Sequence, residues 1–459
     1  MKTPDLKGRR ALVLGAGVSG RSAARFLLAR GARVTVHDDG PRDALPADAL
    51  ALEPEGATLA AGGARVDPAA FDLAILSPGI SVGAPRVREL RSAGVDVVGE
   101  LELASWFLEA PIVAVTGTNG KTTVTTLLGR ILEAQGRAVF VGGNVGTPLV
   151  EAVGGAWDVV VAEVSSFQLE SIRAFRPKVG LFLNLTDDHF DRHGDLAGYG
   201  RAKVRLFENQ GAGDAAIVNA DDPAAWAAFR AAAPGSVLLP YSTERRLSVG
   251  AWAEGDDAVF LLPGRDGVRV PRGELLLAGR HNLGNALAAC LAAAWVGADP
   301  RATWAEARTF RGLPHRVEAF LSWRGIRFVD DSKGTNVDAA RRALETVEPP
   351  VVWVAGGVDK GGDYAPLAAC LPGRVRRGVL VGASAARMTE ALEGAAPLVT
   401  AADWPEAVRL VFDAAQPGDT VLLSPACSSF DFFTGYAARG DAFQRLCRDE
   451  AERRDRAAV

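Results

Sequence analysis

The sequence predicts an α/β protein of three domains, and three observations predict it. Two glycine-rich turns, at 15–20 and 117–123, each join a short apolar run to a helix-like stretch. In the last third, four more apolar runs of strand length alternate with helical stretches. Such alternation points to parallel sheets with helices packed on them. A length of 459 residues fits three domains, at roughly 100–200 residues each.

Composition narrows the class. Hydrophobic residues at 48% and charged residues at 23% suit a globular chain and exclude a disordered one. A formal charge of −4 argues against a general nucleic-acid binder. The four cysteines, Cys290, Cys370, Cys427 and Cys447, form no Cys-x-x-Cys pair, which excludes a zinc ribbon and reads as reduced thiols in the cytoplasm. The longest apolar stretch, Ala286 to Ala298, has thirteen residues, where a membrane span needs about 20. The apolar run behind the charged start MKTPDLKGRR is broken by glycine and soon polar, so no secretion signal is expected. Only seven of the 51 Lys and Arg residues are lysines, which singles out Lys121, Lys203, Lys333 and Lys360 for attention.

The first domain opens with the strand-like ALVLG (11–15) and the turn GAGVSG, which fits G-x-G-x-x-G at Gly15, Gly17 and Gly20. A helix follows, with Ala23, Phe26 and Leu27 on one face, and stops at Gly31. A second strand, Arg33 to Val36, leads to His37, Asp38 and Asp39; Asp38 stands 21 residues after Gly17, where a dinucleotide fold has its ribose-binding acid. Strand-like DLAIL (72–76), with SPGI behind it, and VDVV (95–98) complete the segment. Such a turn lets the backbone approach a diphosphate, which the helix N-terminus favours.

The second turn carries the strongest signal. Strand IVAVT runs into Gly117, Thr118, Asn119, Gly120, Lys121, Thr122 and Thr123, and the helix behind it repeats apolar residues from Val124 to Leu132 before Gly136. Backbone N–H groups of such a loop cradle phosphates, Lys121 can reach the β- and γ-phosphates, and the Thr122 hydroxyl can bind Mg²⁺. Val115 occupies the place of the usual first glycine. A phosphate loop needs an acid for its metal, and Glu163, at the exit of the apolar run Val159–Val161, supplies one. A further buried strand, VGLFLNL (179–185), runs into TDDHFDRH, where carboxylates and imidazoles including His189 suit a divalent cation or a charged solvent loop. RAKVRLFEN (201–209) reads as helix and carries the isolated Lys203. In GRHNLGNALAAC (279–290), Asn282 or Asn285 could cap the helix or contact a base.

RGLPHR (311–316) marks a boundary. Strand-like RFVD (327–330), VVWVAGG (351–357), GVLVG (378–382) and TVLLS (420–424) follow. Polar clusters stand behind three of them, at 330–336, 359–362 and 424–429, which together suggest a ligand site at one rim. Phe430, Phe432 and Phe433 read as core residues.

The ordered set TGTNGKTT, EVSSFQLE, D-H-x-D, RAK, G-x-H-N-x-x-N-A, LPHR and DSKGTN closely resembles the Mur ligases of peptidoglycan synthesis. SPGI, SSFQLE, DSKGTN and SPACSSFD resemble the D-glutamate-adding branch. The resemblance implies a Rossmann-like UDP-sugar domain over 1–98, a P-loop ATPase domain over 99–311 and a Rossmann-like amino-acid domain over 312–459. It implies ATP-dependent joining of D-glutamate to UDP-N-acetylmuramoyl-L-alanine through an acyl phosphate, in the cytoplasm, by a monomer that binds neither nucleic acid nor membrane. Val18, Ser19, Asp38, Ser77, Pro78 and Gly79 would then border the UDP. One departure stands out: the family example has Thr and Arg after the aspartate, and here Asp39 and Gly40 follow Asp38. By the same resemblance Thr122 and Glu163 would hold a first Mg²⁺, and His189 with a carbamylated Lys203 a second. Asn144 would meet the substrate carboxyl region, Asn285 adenine, and Arg316 and Asp331 phosphate and ribose. Thr335, Lys360, Ser429 and Phe430, with Lys333 close by, would surround D-glutamate.

Alternatives differ in what they leave unused. A nicotinamide-dependent oxidoreductase uses the first turn and has no place for the second. A P-loop ATPase or switch would hydrolyse ATP without an acyl acceptor. A folylpolyglutamate-type ligase shares the central domain and lacks a UDP-type first one. Glycine- and proline-marked positions near 99 and 312 are expected to act as hinges for closure.

Overall fold

The structure is a computed structural model and describes residues 3–277 and 279–457. The apolar runs do become strands. The first five, β1 (Arg10–Leu14), β2 (Arg33–His37), β3 (Thr58–Ala60), β4 (Leu73–Leu76) and β5 (Asp96–Gly99), form a parallel sheet in the order β3-β2-β1-β4-β5. Ala11 to Leu14 are buried, as a strand covered on both faces requires. The helix Val18–Ala29 lays Ala23, Ala24, Phe26 and Leu27 on this sheet; a large apolar side chain such as Phe26 or Leu27 contributes about 1.5–3 kcal/mol on burial. Strand order reverses at β1, so the first glycine turn leaves the sheet where open α/β sheets bind ligands.

The second sheet has nine strands: β6 (Ile112–Thr116), β7 (Val139–Gly143), β8 (Val159–Glu163), β9 (Val179–Phe182), β10 (Ala215–Asn219), β11 (Val237–Ser242), β12 (Gly250–Glu254), β13 (Asp257–Leu261) and β14 (Val268–Pro271). Their order is β14-β13-β12-β11-β10-β9-β6-β8-β7. Strands β6 through β11 run parallel, β12 adds to β11 in parallel, and β13 and β14 follow in antiparallel pairing, an extension that the sequence patterns do not announce. The helix Lys121–Glu133 buries the expected stripe of Val124, Leu127, Leu128, Ile131 and Leu132.

Two expectations here need correcting. The helical stretch expected over 201–209 is the end of a helix Leu196–Val204 followed by a 3₁₀ turn, Arg205–Phe207. The helix Arg280–Trp295 starts before Asn282 and Asn285, so neither caps it; Gly279, at φ +100°, turns the chain into it. The apolar run from Ala286 lies buried in this helix as far as Ala294. Among the described residues no helix is long and apolar enough to cross a membrane.

The third sheet, β15 (Glu318–Trp323), β16 (Ile326–Asp330), β17 (Val351–Ala355), β18 (Val375–Val381), β19 (Leu398–Ala401) and β20 (Thr420–Leu423), has the order β15-β16-β20-β17-β18-β19. Only its edge strand β15 is antiparallel. One face packs on Leu344, Leu367 and Met388, the other on Val408, Phe412 and Phe443. The aromatic triplet is not core as a whole: Phe430 is 72% and Phe432 50% exposed, and only Phe433 packs inward, against Trp404. The compact unit around this sheet takes in Thr186–Leu196 and Leu275–Leu283; the first two sheets form the other unit.

Candidate functional site

In the unit of the first two sheets, the phosphate loop leaves β6 and folds under two glycine constraints. Gly117 (φ +152°) and Gly120 (φ +85°) adopt backbone angles that side chains resist. A Cβ on Gly120 would also sit 2.9 Å from Asn285 Oδ1, so the Asn285 amide rests against the loop. Lys121 Nζ donates to the Gly117 and Thr118 carbonyls, each at 2.9 Å. Lys203, 1% exposed, donates from Nζ to the same Gly117 carbonyl at 2.8 Å, and stands 4.3 Å from the centre of the Tyr199 ring. Two ammonium groups thus share one acceptor at a helix N-terminus. Each adds positive potential to the helix dipole, and an anion such as phosphate relieves all three.

Strand pairing puts Glu163 on the same rim. β8 lies beside β6 with Glu163 opposite Val115, two residues before Gly117. Glu163 is buried, and its Oε1 accepts from Asn144 Nδ2 at 2.9 Å. Its Oε2 is buried with no hydrogen-bond partner. An orphaned carboxylate oxygen is costly unless a cation takes it, so Glu163 fits a divalent-cation ligand. Thr122 and Thr123 stand in the first turn of the helix behind the loop. Asn184 was not anticipated: its Oδ1 accepts from Asn119 N at 2.8 Å and its Nδ2 donates to Asn119 O at 3.0 Å. An asparagine inside the apolar run LFLNL is the signal that could have found it.

At the first turn, Asp38 ties the backbone together. Its two oxygens accept from Ala16 N and Gly40 N, both at 2.8 Å. Ser77 Oγ donates to the Gly15 carbonyl at 3.3 Å, which brings Ser77, Pro78 and Gly79 to the turn. Val18 is exposed and Ser19 half-buried at the start of the helix. Ser77 and Pro78 also line a cavity of about 10 Å³ with Glu100 and Gln168, room for about one water. Glu100 Oε1 accepts from Val150 N at 2.6 Å, while its Oε2 and Gln168 Nε2 are buried without partners. Burial pushes the Glu100 carboxyl up to about 7.

The unit of the third sheet gathers the remaining residues. β16, β20 and β17 are neighbours, so the three polar clusters behind them meet at one rim. Ser424 Oγ donates to Asp331 Oδ2 at 2.6 Å, Ala426 N to the Gly334 carbonyl at 2.9 Å, and Val358 and Ser428 exchange backbone bonds. Burial drives the Asp331 carboxyl up to about 7 against the Ser424 hydroxyl and the Arg316 charge. Lys333 Nζ lies 4.1 Å from the centre of the Tyr436 ring, a partner the sequence did not suggest. Thr335 N donates to the Lys333 carbonyl, and Ser429 is buried beneath exposed Phe430. Buried Arg439 holds the rim: its guanidinium donates to the carbonyls of Ser332 (2.8 Å), Cys427 (3.1 Å) and Gly356 (3.4 Å).

In the same unit Asp188, the neighbour of His189, is the hub of the TDDHFDRH segment. Lys360 Nζ lies 3.5 Å from its Oδ1, and Asn336 Nδ2 donates to its Oδ2 at 3.3 Å. His189 has φ +54°, and its Nε2 stands 3.7 Å from Asp188 Oδ2. Asn282 is buried in the first turn of its helix.

Comparison with known proteins gives these placements a family setting. Residues 9–99 match the Mur ligase MurD-like N-terminal domain, 115–293 the Mur ligase middle domain, and 315–427 the Mur ligase glutamate ligase domain. A UDP-N-acetylmuramoylalanine--D-glutamate ligase of Pelotomaculum thermopropionicum is 44% identical over 96% of this chain and 98% of its own. One from Syntrophotalea carbinolica is 43% identical over 96% and 98%. Among solved structures, the MurF ligase of Thermotoga maritima in complex with ADP covers 98% of this chain and 100% of its own, with a TM-score of 0.61 at 17% identity, a likeness of fold.

Proposed function

The chain belongs to the Mur ligase family, and on that premise we propose that it joins D-glutamate to UDP-N-acetylmuramoyl-L-alanine at the expense of ATP, in peptidoglycan synthesis. The observation that carries this reading is the 44% identity across 96% of the chain to a ligase of that name. The phosphate loop with its two converging lysines supports it.

A carboxylate is a poor acyl donor, so the alanyl carboxylate first takes the γ-phosphoryl of ATP. The Gly117–Thr123 backbone and Lys121 hold the phosphates and offset the charge that spreads over the transferring group. Thr122 and Glu163 are the residues that would hold a first Mg²⁺, and His189 and a carbamylated Lys203 a second. Magnesium bound there would supply further charge neutralisation at the phosphoryl oxygens. Carbamylation joins CO₂ to the neutral Lys203 amine with loss of a proton and turns a cation into an anion, which also ends the repulsion between the two lysines. The Asn285 amide, which rests against Gly120, would contact the adenine. On the third sheet, Arg316 and Asp331 serve ATP, and Lys333, Thr335, Lys360, Ser429 and Phe430 receive D-glutamate, whose two carboxylates need cations and N–H donors. Its amine displaces phosphate through a tetrahedral intermediate. The first domain takes the UDP group at Val18, Ser19, Asp38 and Ser77–Gly79, with Asn144 at the acyl end.

Mass identification of the product tests the reading. Incubation with UDP-N-acetylmuramoyl-L-alanine, D-glutamate, ATP and Mg²⁺ should yield the D-glutamyl amide and phosphate in equal amounts. Equal phosphate release without D-glutamate, and no amide, overturns it.

A further inference from the structure

Arg205 stands two residues after Lys203, at the start of the 3₁₀ turn Arg205–Phe207. Its guanidinium is fully used. Nη1 donates to the Leu169 and Glu170 carbonyls and Nη2 to the Ile172 carbonyl, each at 2.7 Å. Nε and Nη2 donate to the two carboxylate oxygens of Glu208, at 2.9 and 2.8 Å. That engages every N–H donor an arginine has. Leu169 ends the short helix Ser166–Leu169, so the first two carbonyls are among those a helix end leaves without intrahelical partners.

A grip positions a side chain only if what it holds is firm, and this segment is. Ser165 caps the same helix and exchanges hydrogen bonds with Gln168. Two residues before Ser165, Glu163 ends β8, and between them Val164 N donates to the Val115 carbonyl of β6. Further along, Asn209 Nδ2 donates to the Arg173 and Phe175 carbonyls, at 2.9 and 3.1 Å. The buried Glu102 carboxylate accepts from the N–H groups of Arg173, Ala174 and Phe175, at 2.8, 2.9 and 2.9 Å. The contacts close a ring. It runs from Gly117 through the β6–β8 pairing to Glu163, along the helix Ser166–Leu169 to Arg205, and through Lys203 back to the Gly117 carbonyl. A carbamate in place of the Lys203 ammonium would weaken the last link, whereas the Arg205 link involves no atom of Lys203.

We propose that Arg205 is a positioning residue: it fixes the end of the Lys203 helix against the segment behind Glu163, and so sets the spacing at which these two side chains hold two divalent cations. The proposal rests on the reading of Glu163 and a carbamylated Lys203 as metal ligands. The test titrates the full chain, with bicarbonate and a non-hydrolysable ATP analogue, with Mn²⁺, a paramagnetic ion that shares the preference of Mg²⁺ for oxygen ligands. Paramagnetic resonance counts the free ion. The wild type should bind two ions. R205A should hold the first near wild-type affinity and the second about tenfold or more weakly, the scale of losing a metal ligand's supporting groups. R205K should fall between, because an ammonium offers fewer donors and no planar fork. An R205A protein that binds both ions as tightly as wild type overturns the Arg205 assignment alone, as does one that weakens both equally, the mark of a loosened fold. Should R205A not fold, wild-type affinity for the second ion in R205K overturns it. A wild-type protein that binds a single ion overturns it together with the metal-ligand reading.

Discussion

Replacing Glu100 by glutamine should change how the stability of this protein depends on pH. The Glu100 carboxyl is buried, with one oxygen bonded to Val150 N and the other without a partner. Burial raises its pKa from 4.5 to about 7; the Val150 and Leu149 N–H groups oppose that rise and the nearby Glu151 charge adds to it. A raised carboxylic pKa means that the folded state holds its proton when the unfolded state has lost it. Glu100's contribution is therefore fully present below pH 4.5, falls as the pH climbs towards 7, and is constant above. At about 1.4 kcal/mol for each pH unit across that window, the ionised side chain costs the fold about 3 kcal/mol. Glutamine keeps the acceptor for Val150 N and never ionises. Urea unfolding of wild type and E100Q at pH 5, 6, 7 and 8 gives the difference in stability, in which every other titrating group cancels. That difference should grow in favour of E100Q by about 2–3 kcal/mol from pH 5 to pH 8, most of it below pH 7. A difference that stays flat across the series refutes the reasoning.

Three further outcomes are expected. K121R and K203R should each lose ligation by about a hundredfold or more, the scale of one oriented charge-stabilising donor, while K7R and K178R stay near wild type in steady-state phosphate release. E163Q should weaken the Mg²⁺ dependence of turnover by at least roughly the 10–100-fold seen for losing a metal's supporting groups, and a Mg²⁺ titration curve that overlays wild type counts against the ligand role. N184A removes both bonds from the Asn184 side chain to the Asn119 backbone and should cost about 1–3 kcal/mol in thermal unfolding, with a raised KM for ATP.

Local chemistry was legible in the sequence, and pairing across distance was not. Lys121, Thr122 and Glu163 could be read because a phosphate loop and an acid ending an apolar strand are short patterns, and strand register then sets Glu163 beside the loop. Asn285 could be named but not placed: the helix start depends on Gly279, which hydrogen-bonding patterns fix and propensity does not. Tyr436 and Arg439 escaped notice, and the partners of Asp188 could not be named, because each acts on residues far along the chain. Phe430 and Phe432 misled because hydrophobicity alone says nothing of which loop a residue rides on; on the Ser424–Phe433 loop they face outward. Strands β13 and β14 lack a parallel-sheet signature because an antiparallel extension needs neither a crossover helix nor an unbroken apolar run.

The clamp made by Arg439 also has a meaning in time. Ser332 precedes the guanidinium that holds its carbonyl by 107 residues. A ribosome adding roughly 5–20 residues per second makes that an interval of roughly 5–20 s. Throughout it the loop behind β16 exists as nascent chain without the side chain that fixes it, and the loops behind β17 and β20 wait for the same arrival. The rim behind these three strands is thus completed by a single late residue, so a nascent chain halted before Arg439 should carry the loop at 117–123 yet lack the clamp that fixes that rim.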